Sequence, residues 1–336
     1  MTRVILLAAL VLAAIALGAC GEKEERPGGA GGAERVDLLL DYFPNADHAG
    51  IYAAQGGGAF ARAGLDVRPR TPPDPTAALK LLAARRADLA ISYEPDLLLA
   101  RGAGLKVQAV AALVQKPLTS IISLGRRAAR TPGDLRGRTV GTAGLPYQSA
   151  FLQTILRDAD VPARSVKRVN VGFNLTPAML SGRVDATLGS FWNYEGVDLR
   201  RRGKAPRIIR MERVGVPVYN ELVIVAREDT VREQGPFLRR FLLALREGHV
   251  SLRRDARTGV DPLLRANPDL ERGLQTASVR ATLPVFFPSD RERPFGWMEP
   301  REWTAFGRWM AGNRLLKQPE VVDRAYTNEF LPGEGI

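Results

Sequence analysis

The sequence predicts an α/β protein with two lobes and a ligand cleft between them. Short apolar segments that read as buried strands alternate with amphipathic helical stretches through most of the 336 residues. This order is typical of parallel sheets covered by helices. One strand-and-turn pattern also occurs twice, ending once at Glu94 and again at Glu195. The repetition is what predicts two similar lobes rather than one large sheet.

The N-terminal segment reads as an export and anchoring signal. Arg3 precedes an uncharged apolar run at residues 4–17, which is too short for a membrane-spanning helix, so residues 1–19 are predicted to be a signal peptide. Cys20 is the only cysteine and follows Leu-Gly-Ala, a pattern that resembles the bacterial lipoprotein box. We expect Cys20 to be acylated and to anchor the protein to a membrane; a free cysteine beside an ordinary cleavage site is the alternative. The glycine-rich, charged stretch that follows, residues 20–35 with the cysteine, is predicted to be a flexible linker.

The strands are predicted from short apolar runs bounded by turn residues. They lie at residues 36–40, 89–91, 107–111, 121–124, 139–141, 169–171, 186–188, 208–211 and 222–226. The chain beyond Pro236 reads as helical, with Trp303, Phe306 and Trp309 at near-helical spacing, and this spacing favours core packing over a ligand site. His249 lies in the same helical region and is expected to be a structural or a surface histidine.

The repeated pattern places chemistry at two strand ends. Arg86-Ala-Asp-Leu-Ala-Ile-Ser-Tyr-Glu94 and Arg183-Val-Asp-Ala-Thr-Leu-Gly-Ser-Phe-Trp-Asn-Tyr-Glu195 each run from a basic residue through Asp and an apolar strand to aromatics and a glutamate. Ligands of open α/β sheets bind at the carboxyl ends of the strands. The pattern therefore predicts that both lobes present aromatic and acidic side chains to one cleft, unless the similarity of two short units is a coincidence.

The charge distribution excludes some functions. The formal net charge is +12, but the cations are scattered in pairs and triplets without a basic stripe or zinc-finger spacing, so nucleic-acid binding is not expected. The segments expected at strand ends contain no Lys or Arg; they are residues 41–50, 91–96, 141–148, 170–177 and 189–197. A basic protein has thus kept its cations away from the predicted cleft.

Aromatic rings and carboxylates in a cation-free cleft suit a planar ligand that carries amino groups. An anionic ligand would call for Arg, Lys or clustered backbone N–H groups, and only the loop at residues 141–144 offers the last of these. A serine triad needs a histidine base beside an exposed serine, and the sequence contains no Gly-x-Ser-x-Gly elbow. Asp41, Asp47 and His48 could form a crude metal site, but a local hydrogen-bonded turn with Asn45 and Asp47 is favoured.

Five motifs carry a family resemblance. In chain order they are Asp41-Tyr-Phe-Pro-Asn-Ala-Asp-His-Ala-Gly-Ile-Tyr52, Ser92-Tyr-Glu-Pro-Asp96, Gly141-Thr-Ala-Gly-Leu-Pro-Tyr147, Asn170-Val-Gly-Phe-Asn174 and Trp192-Asn-Tyr-Glu-Gly196. Together they resemble the thiamine-pyrimidine-precursor binding proteins of ABC importers. That superfamily also holds the fungal thiamine pyrimidine synthase and the nitrate, sulfonate and taurine binding proteins.

The resemblance implies a two-lobed periplasmic-binding-protein fold of type II-like organisation. Lobe 1 would comprise residues 36–118 with 221–336, and lobe 2 residues 119–220, joined by crossing segments near 116–120 and 216–221. A monomeric lipoprotein would capture an aminopyrimidine precursor of thiamine by closure and deliver it to an ABC permease, without a cofactor. The alternatives are a synthase-like enzyme, which needs a reactive lysine in the cleft, a sulfonate or nitrate binding protein, and a purely structural envelope lipoprotein.

The resemblance and the residue types together assign provisional roles in the cleft. Tyr42, Trp192 and Tyr147 would supply aromatic faces, and Glu195 would accept a hydrogen bond from an exocyclic amine. Further side-chain contacts are expected from Asn45, His48, Tyr93 and Asn174. The remaining members of the predicted site are Asp41, Glu94 and Tyr194.

Overall fold

The computed structural model describes residues 32–333, which form ten strands and twelve α-helices. The strands are β1 Glu34–Leu39, β2 Leu65–Arg70, β3 Leu89–Ser92, β4 Val107–Val114, β5 Thr119–Ser123, β6 Thr139–Thr142, β7 Lys167–Asn170, β8 Ala186–Phe191, β9 Arg207–Arg210 and β10 Leu222–Arg227. The helices are α1 Ala49–Gly56, α2 Ala59–Arg62, α3 Ala78–Ala83, α4 Glu94–Gly102, α5 Pro146–Asp158, α6 Leu175–Leu180, α7 Glu195–Arg201, α8 Glu228–Glu233, α9 Gly235–Arg254, α10 Arg257–Ala266, α11 Arg272–Thr282 and α12 Pro300–Gly312. The α/β class is as predicted.

The strands form two five-stranded sheets. The first has the order β2-β1-β3-β10-β4, in which β2, β1 and β3 are parallel and β10 runs antiparallel to both neighbours. The second has the order β7-β6-β8-β5-β9, again with three parallel strands and an antiparallel strand fourth in order. The interior strands β3 and β5 are built from apolar or small residues and are fully buried.

Every strand predicted from the sequence is present, and one additional strand, β2, was missed. β2 lies at the edge of the first sheet, where only Leu65 and Val67 are buried. Pro69 falls within it, and a proline is tolerated in a strand that has one side free of pairing. A short run with two buried residues and a proline gives little apolar signal.

The repeated sequence pattern corresponds to a repeated structural unit. Asp88 precedes β3 and accepts a hydrogen bond from the Asp37 backbone N–H at 2.8 Å. Asp185 precedes β8 and accepts the equivalent bond from the Thr139 backbone N–H at 2.7 Å. In both units the strand leads directly to a helix that begins at the glutamate, α4 in the first sheet and α7 in the second.

The chain passes between the sheets twice. It crosses from β4 to β5 through residues 115–118 and returns from β9 to β10 through residues 211–221. Buried Glu221 joins the two crossings, because its carboxylate accepts hydrogen bonds from the backbone N–H groups of Leu118 and Thr119 at 2.6 and 2.8 Å. The helices after β10 complete the core, and Trp303 and Phe306 of α12 are fully buried, as the helical spacing predicted.

The predicted export segment lies outside the described residues. Cys20 and residues 1–31 are among those not described. Within residues 32–333, no helix combines the length and the apolar character needed to cross a bilayer.

Candidate functional site

A cleft lies between the two sheets, at the carboxyl ends of their parallel strands. About 440 Å³ of space there is free of protein atoms, the open solvent at its mouth included. Its lining residues, called the cleft below, are Asp41, Tyr42, Asn45, Pro75, Tyr93, Ala143, Leu145, Tyr147, Gln148, Leu175, Gly189, Phe191, Tyr194 and Glu195. None of these side chains is a cation, as the sequence predicted for the strand ends.

The first sheet contributes a buried carboxylate that is held by two neutral donors. Asp41 follows β1, and its Oδ2 accepts from the Tyr93 hydroxyl at 2.8 Å. The Asp41 Oδ1 lies 2.9 Å from Nε2 of His48. The Asn45 backbone N–H lies 3.2 Å from His48 Nδ1. Because a backbone N–H only donates, Nδ1 is the acceptor, and the proton of the neutral ring is on Nε2, pointing at Asp41.

This arrangement changes the role expected of His48. The histidine is fully buried, both its ring nitrogens have protein partners, and it is not among the residues that line the cleft. A direct hydrogen bond from His48 to a ligand does not fit this placement. His48 orients the Asp41 carboxylate from behind, and Asp41 is the group that faces the cleft.

Asn45 and Asp47 form the local turn that the sequence favoured over a metal site. The Asn45 Oδ1 accepts from the Asp47 backbone N–H at 2.8 Å, and its Nδ2 donates to the Phe43 carbonyl at 3.0 Å. These bonds cap a short 3-10 turn, Ala46–His48, that leads into α1. Within residues 32–333 no three His, Cys, Asp or Glu side chains are grouped so as to hold a metal ion.

The second sheet contributes Glu195, the first residue of α7. Its Oε2 accepts from the Phe191 backbone N–H at 2.7 Å, which leaves Oε1 toward the cleft. Burial raises the pKa of Glu195 to about 7, against the opposing effect of the backbone N–H groups of Phe191 and Glu195. A carboxyl group in this state exchanges its proton near neutral pH.

Four tyrosines surround the two carboxyl groups. The rings of Tyr93 and Tyr147 lie 5.7 Å apart between centroids, and burial raises the pKa of both hydroxyls well above their usual value. These hydroxyls therefore remain protonated and can donate hydrogen bonds. Tyr147 is fully buried and its hydroxyl has no partner among the described residues. Tyr194 accepts from Gln275 Nε2 at 3.2 Å, and Tyr42 donates to the Phe173 carbonyl at 2.5 Å across the cleft.

Besides His48, three other predicted site residues do not line the cleft. Trp192 turns away from it: its Nε1 donates to the Pro117 carbonyl at 3.0 Å, and the Arg210 guanidinium stacks 4.0 Å from its ring centroid. Glu94 is buried beside a crossing segment and accepts from the Asn220 backbone N–H at 2.7 Å. Asn174 is exposed. It precedes α6, and its carbonyl oxygen accepts a hydrogen bond from the Ala178 backbone N–H of that helix.

Three residues that shape the cleft were not among the predicted site residues. Gln148 on α5 accepts from the Ala143 backbone N–H at 2.9 Å through Oε1. Gly189 has φ +115°, and a Cβ there would lie 2.4 Å from Gln148 Nε2. Phe191 supplies an aromatic side chain to the lining. The only signal for these residues was their position inside the cation-free segments.

The fold and the cleft together define the class of protein. Two α/β sheets that are joined by two crossings and enclose a cleft form the periplasmic binding protein fold. The alkanesulfonate-binding protein SsuA from Xanthomonas axonopodis pv. citri bound to MOPS superposes with a TM-score of 0.69 at 17% sequence identity, over 89% of this chain and 99% of that one. At this identity the likeness concerns the fold alone.

Sequence comparison then identifies the family. The profile described as NMT1/THI5 like matches residues 45–254, and the chain belongs to this family. A formylaminopyrimidine-binding protein of Halalkalibacterium halodurans is 33% identical over 88% of this chain and 90% of its own length. A 4-amino-5-hydroxymethyl-2-methylpyrimidine phosphate synthase of Legionella pneumophila is 24% identical over 89% of this chain and 92% of its own.

Proposed function

We propose that this protein captures an aminopyrimidine precursor of thiamine outside the cytoplasm and delivers it to an ABC permease. The observation that carries this proposal is the pairing of Asp41 and Glu195 across a cleft whose lining contains tyrosines and no cation. A carboxylate accepts hydrogen bonds from amino groups with charge assistance, and aromatic side chains pack against a flat ring. The 33% identical formylaminopyrimidine-binding relative supports the same ligand class.

An anionic ligand suits the cleft poorly. Sulfonate and nitrate groups require Arg, Lys or several convergent N–H groups. The Ala143 backbone N–H, which the loop after β6 would offer, is already bonded to Gln148. Two buried carboxyl groups in the lining would also repel an anion.

A synthase-like activity is the second candidate, because a 24% identical relative carries that name. We propose binding rather than catalysis. A Schiff base to pyridoxal phosphate needs a lysine amine, and the cleft contains no lysine. His48, which lies behind Asp41, has both ring nitrogens bonded to protein groups.

Closure is the proposed mechanism of capture. Residues 36–118 with 221–336 would move as one lobe and residues 119–220 as the other, about the crossings at 115–118 and 211–221. A ligand that contacts Asp41 on one side and Glu195 on the other favours the closed state through its differential affinity for it. Acylated Cys20 would hold the monomer on the membrane beside its permease.

Calorimetric titration of the purified protein tests the ligand class. We expect binding of formylaminopyrimidine or hydroxymethylpyrimidine, and none of taurine or nitrate. Binding of the anions alone would refute the proposal. An absorbance band of pyridoxal phosphate in the purified protein, shifted by borohydride reduction, would instead support the synthase candidate.

A further inference from the structure

A buried hydrogen-bonded group joins the two sides of the cleft without lining it. Asn193 follows β8 of the second sheet, and its Nδ2 donates to Asp47 Oδ1, beside β1 of the first sheet, at 2.6 Å. The same Nδ2 lies 2.6 Å from Oγ1 of Thr282 at the end of α11. Thr282 Oγ1 in turn lies 3.2 Å from Asp47 Oδ1. All three side chains are at most 1% exposed, and the cleft lining does not include them.

This group is well placed to hold the sheets together. A bond from an amide to a buried carboxylate is among the stronger hydrogen bonds in proteins, because water does not compete for it. A second bond across the cleft, from the Tyr42 hydroxyl to the Phe173 carbonyl, lies at the mouth, where Phe43 is half exposed. The Asp47 bond is therefore the enclosed one of the two.

The same group also carries a cost that opposes closure. Asp47 Oδ2 and Asn193 Oδ1 are enclosed and have no partner among the described residues. Burial raises the pKa of Asp47 to about 6, which reflects the unfavourable environment of its charge. Separation of the sheets would expose both oxygens to water and relieve that cost. The closed arrangement is thus stabilised by the bonds from Asn193 Nδ2 to Asp47 and Thr282 and destabilised by two unpaired acceptors.

We propose that Asp47 and Asn193 are positioning residues that set ligand affinity by adjusting the balance between the open and closed states, without touching the ligand. The ligand part of this inference rests on the proposed function. The bond itself does not depend on it.

Two substitutions are expected to change affinity in opposite directions. Asn193→Ala removes the only side-chain donor to Asp47 from the second sheet and should weaken pyrimidine binding about tenfold, mainly through faster dissociation. Asp47→Asn keeps the Oδ1 acceptor, removes the buried charge and adds a donor that can pair with Asn193 Oδ1. It should tighten binding about threefold or more. A purely structural role would weaken binding in both variants, and that result would overturn the proposal.

Matched threonine variants provide a second test within one helix. Thr282→Val removes a hydroxyl from the group at constant shape and should weaken binding about threefold. Thr276→Val removes a hydroxyl that bonds only to the Arg272 carbonyl of the same helix, and should leave affinity unchanged. If Asn193→Ala fails to fold, as its melting temperature would reveal, Asp47→Asn and Thr282→Val decide the question. Equal affinities for Thr282→Val and native protein would count against the proposal.

Small-angle scattering of ligand-free protein separates this inference from the proposed function. Asn193→Ala should have a larger radius of gyration than Asp47→Asn, whatever the ligand proves to be. If native protein binds no pyrimidine but the two variants differ in this way, the proposed function fails and the positioning role stands. If the variants have equal radii and equal affinities, the positioning role is refuted.

Discussion

The sharpest prediction concerns the oxygen of Glu195 that faces the cleft. Because Oε2 already accepts from the Phe191 N–H, we expect a ligand amine to bond mainly to Oε1. In Glu195→Gln the amide oxygen would keep the Phe191 N–H as its partner, so that the NH₂ group points into the cleft. A ligand amine would then meet a donor instead of an acceptor.

The expected loss follows from the bond that disappears. A hydrogen bond to a charged group contributes roughly 1.5 to 3 kcal/mol, so the dissociation constant of the aminopyrimidine should rise roughly 10- to 150-fold. Glu94→Gln is the matched control. Glu94 is likewise a buried glutamate that begins a helix and accepts a backbone N–H, but it lies outside the cleft. We expect the Glu94→Gln variant to bind the ligand within about twofold of the native affinity, since no ligand bond is lost.

The pH dependence gives an independent test of the same oxygen. The bound amine stabilises the carboxylate, so affinity is complete above the pKa of about 7 in the free protein and falls as the pH drops below it. Between pH 8 and pH 6 the dissociation constant should rise about tenfold in native protein. Protonation of the ligand itself affects the dissociation constants of native protein and of Glu195→Gln equally. It therefore cancels in the ratio of these two dissociation constants. Calorimetry from pH 6 to pH 8 would exclude Glu195 from the site in either of two cases. The ratio of the two dissociation constants would be independent of pH, or Glu195→Gln would bind with the affinity of native protein.

Three further predictions concern buried groups. Tyr147→Phe removes a hydroxyl without a partner and should weaken ligand binding about five- to tenfold while slightly raising the melting temperature of the ligand-free protein; equal affinity would exclude a ligand bond from Tyr147. Burial lowers the pKa of His249 to about 4, so the unfolded chain binds its proton first and stability is lost as the pH falls from about 6.5 toward 4. Buried carboxyl groups with a raised pKa, such as Asp47 and Glu195, shift stability the other way in both proteins. In urea unfolding, the change in the free energy of unfolding from pH 7.5 to pH 4.5 should therefore be roughly 3 kcal/mol less favourable for native protein than for His249→Gln. In Gly50→Ala the new methyl group would lie 2.1 Å from the His249 ring, and we expect destabilisation of about 3 kcal/mol or more in the same assay.

The fold was accessible from the sequence because its signals are local. Nine strand segments are apolar runs between turn residues, and the Asp that precedes β3 and β8 repeats with its strand. The exception, β2, shows the limit of the method. An edge strand with one free side needs few apolar residues and tolerates Pro69, so composition does not distinguish it from a loop.

The lining residues of the cleft, except Pro75, lie in the predicted strand-end segments, but the sequence does not predict which side chain of a segment faces the cleft. Phe191 and Trp192 are adjacent aromatics, yet Phe191 lines the cleft and Trp192 packs against Arg210. Successive side chains at the end of a strand point in opposite directions, and the register that decides between them comes from pairing with β5. Glu94 and Glu195 end the same sequence pattern. Glu94 bonds to the Asn220 backbone N–H and not to the cleft, and this contact depends on the tertiary structure.

The neutral partners of Asp41 explain why a basic protein keeps its cations out of this cleft. An arginine or lysine beside Asp41 would orient the carboxylate, but it would also neutralise its charge and compete with a ligand amine for the same oxygens. His48 in its Nε2–H form and the Tyr93 hydroxyl supply orientation without charge. Each donates one hydrogen bond, to different oxygens, and each oxygen keeps a lone pair for a ligand. A histidine used in this way has both ring nitrogens bonded to protein groups, and its role is to hold the Asp41 carboxylate in place behind the cleft.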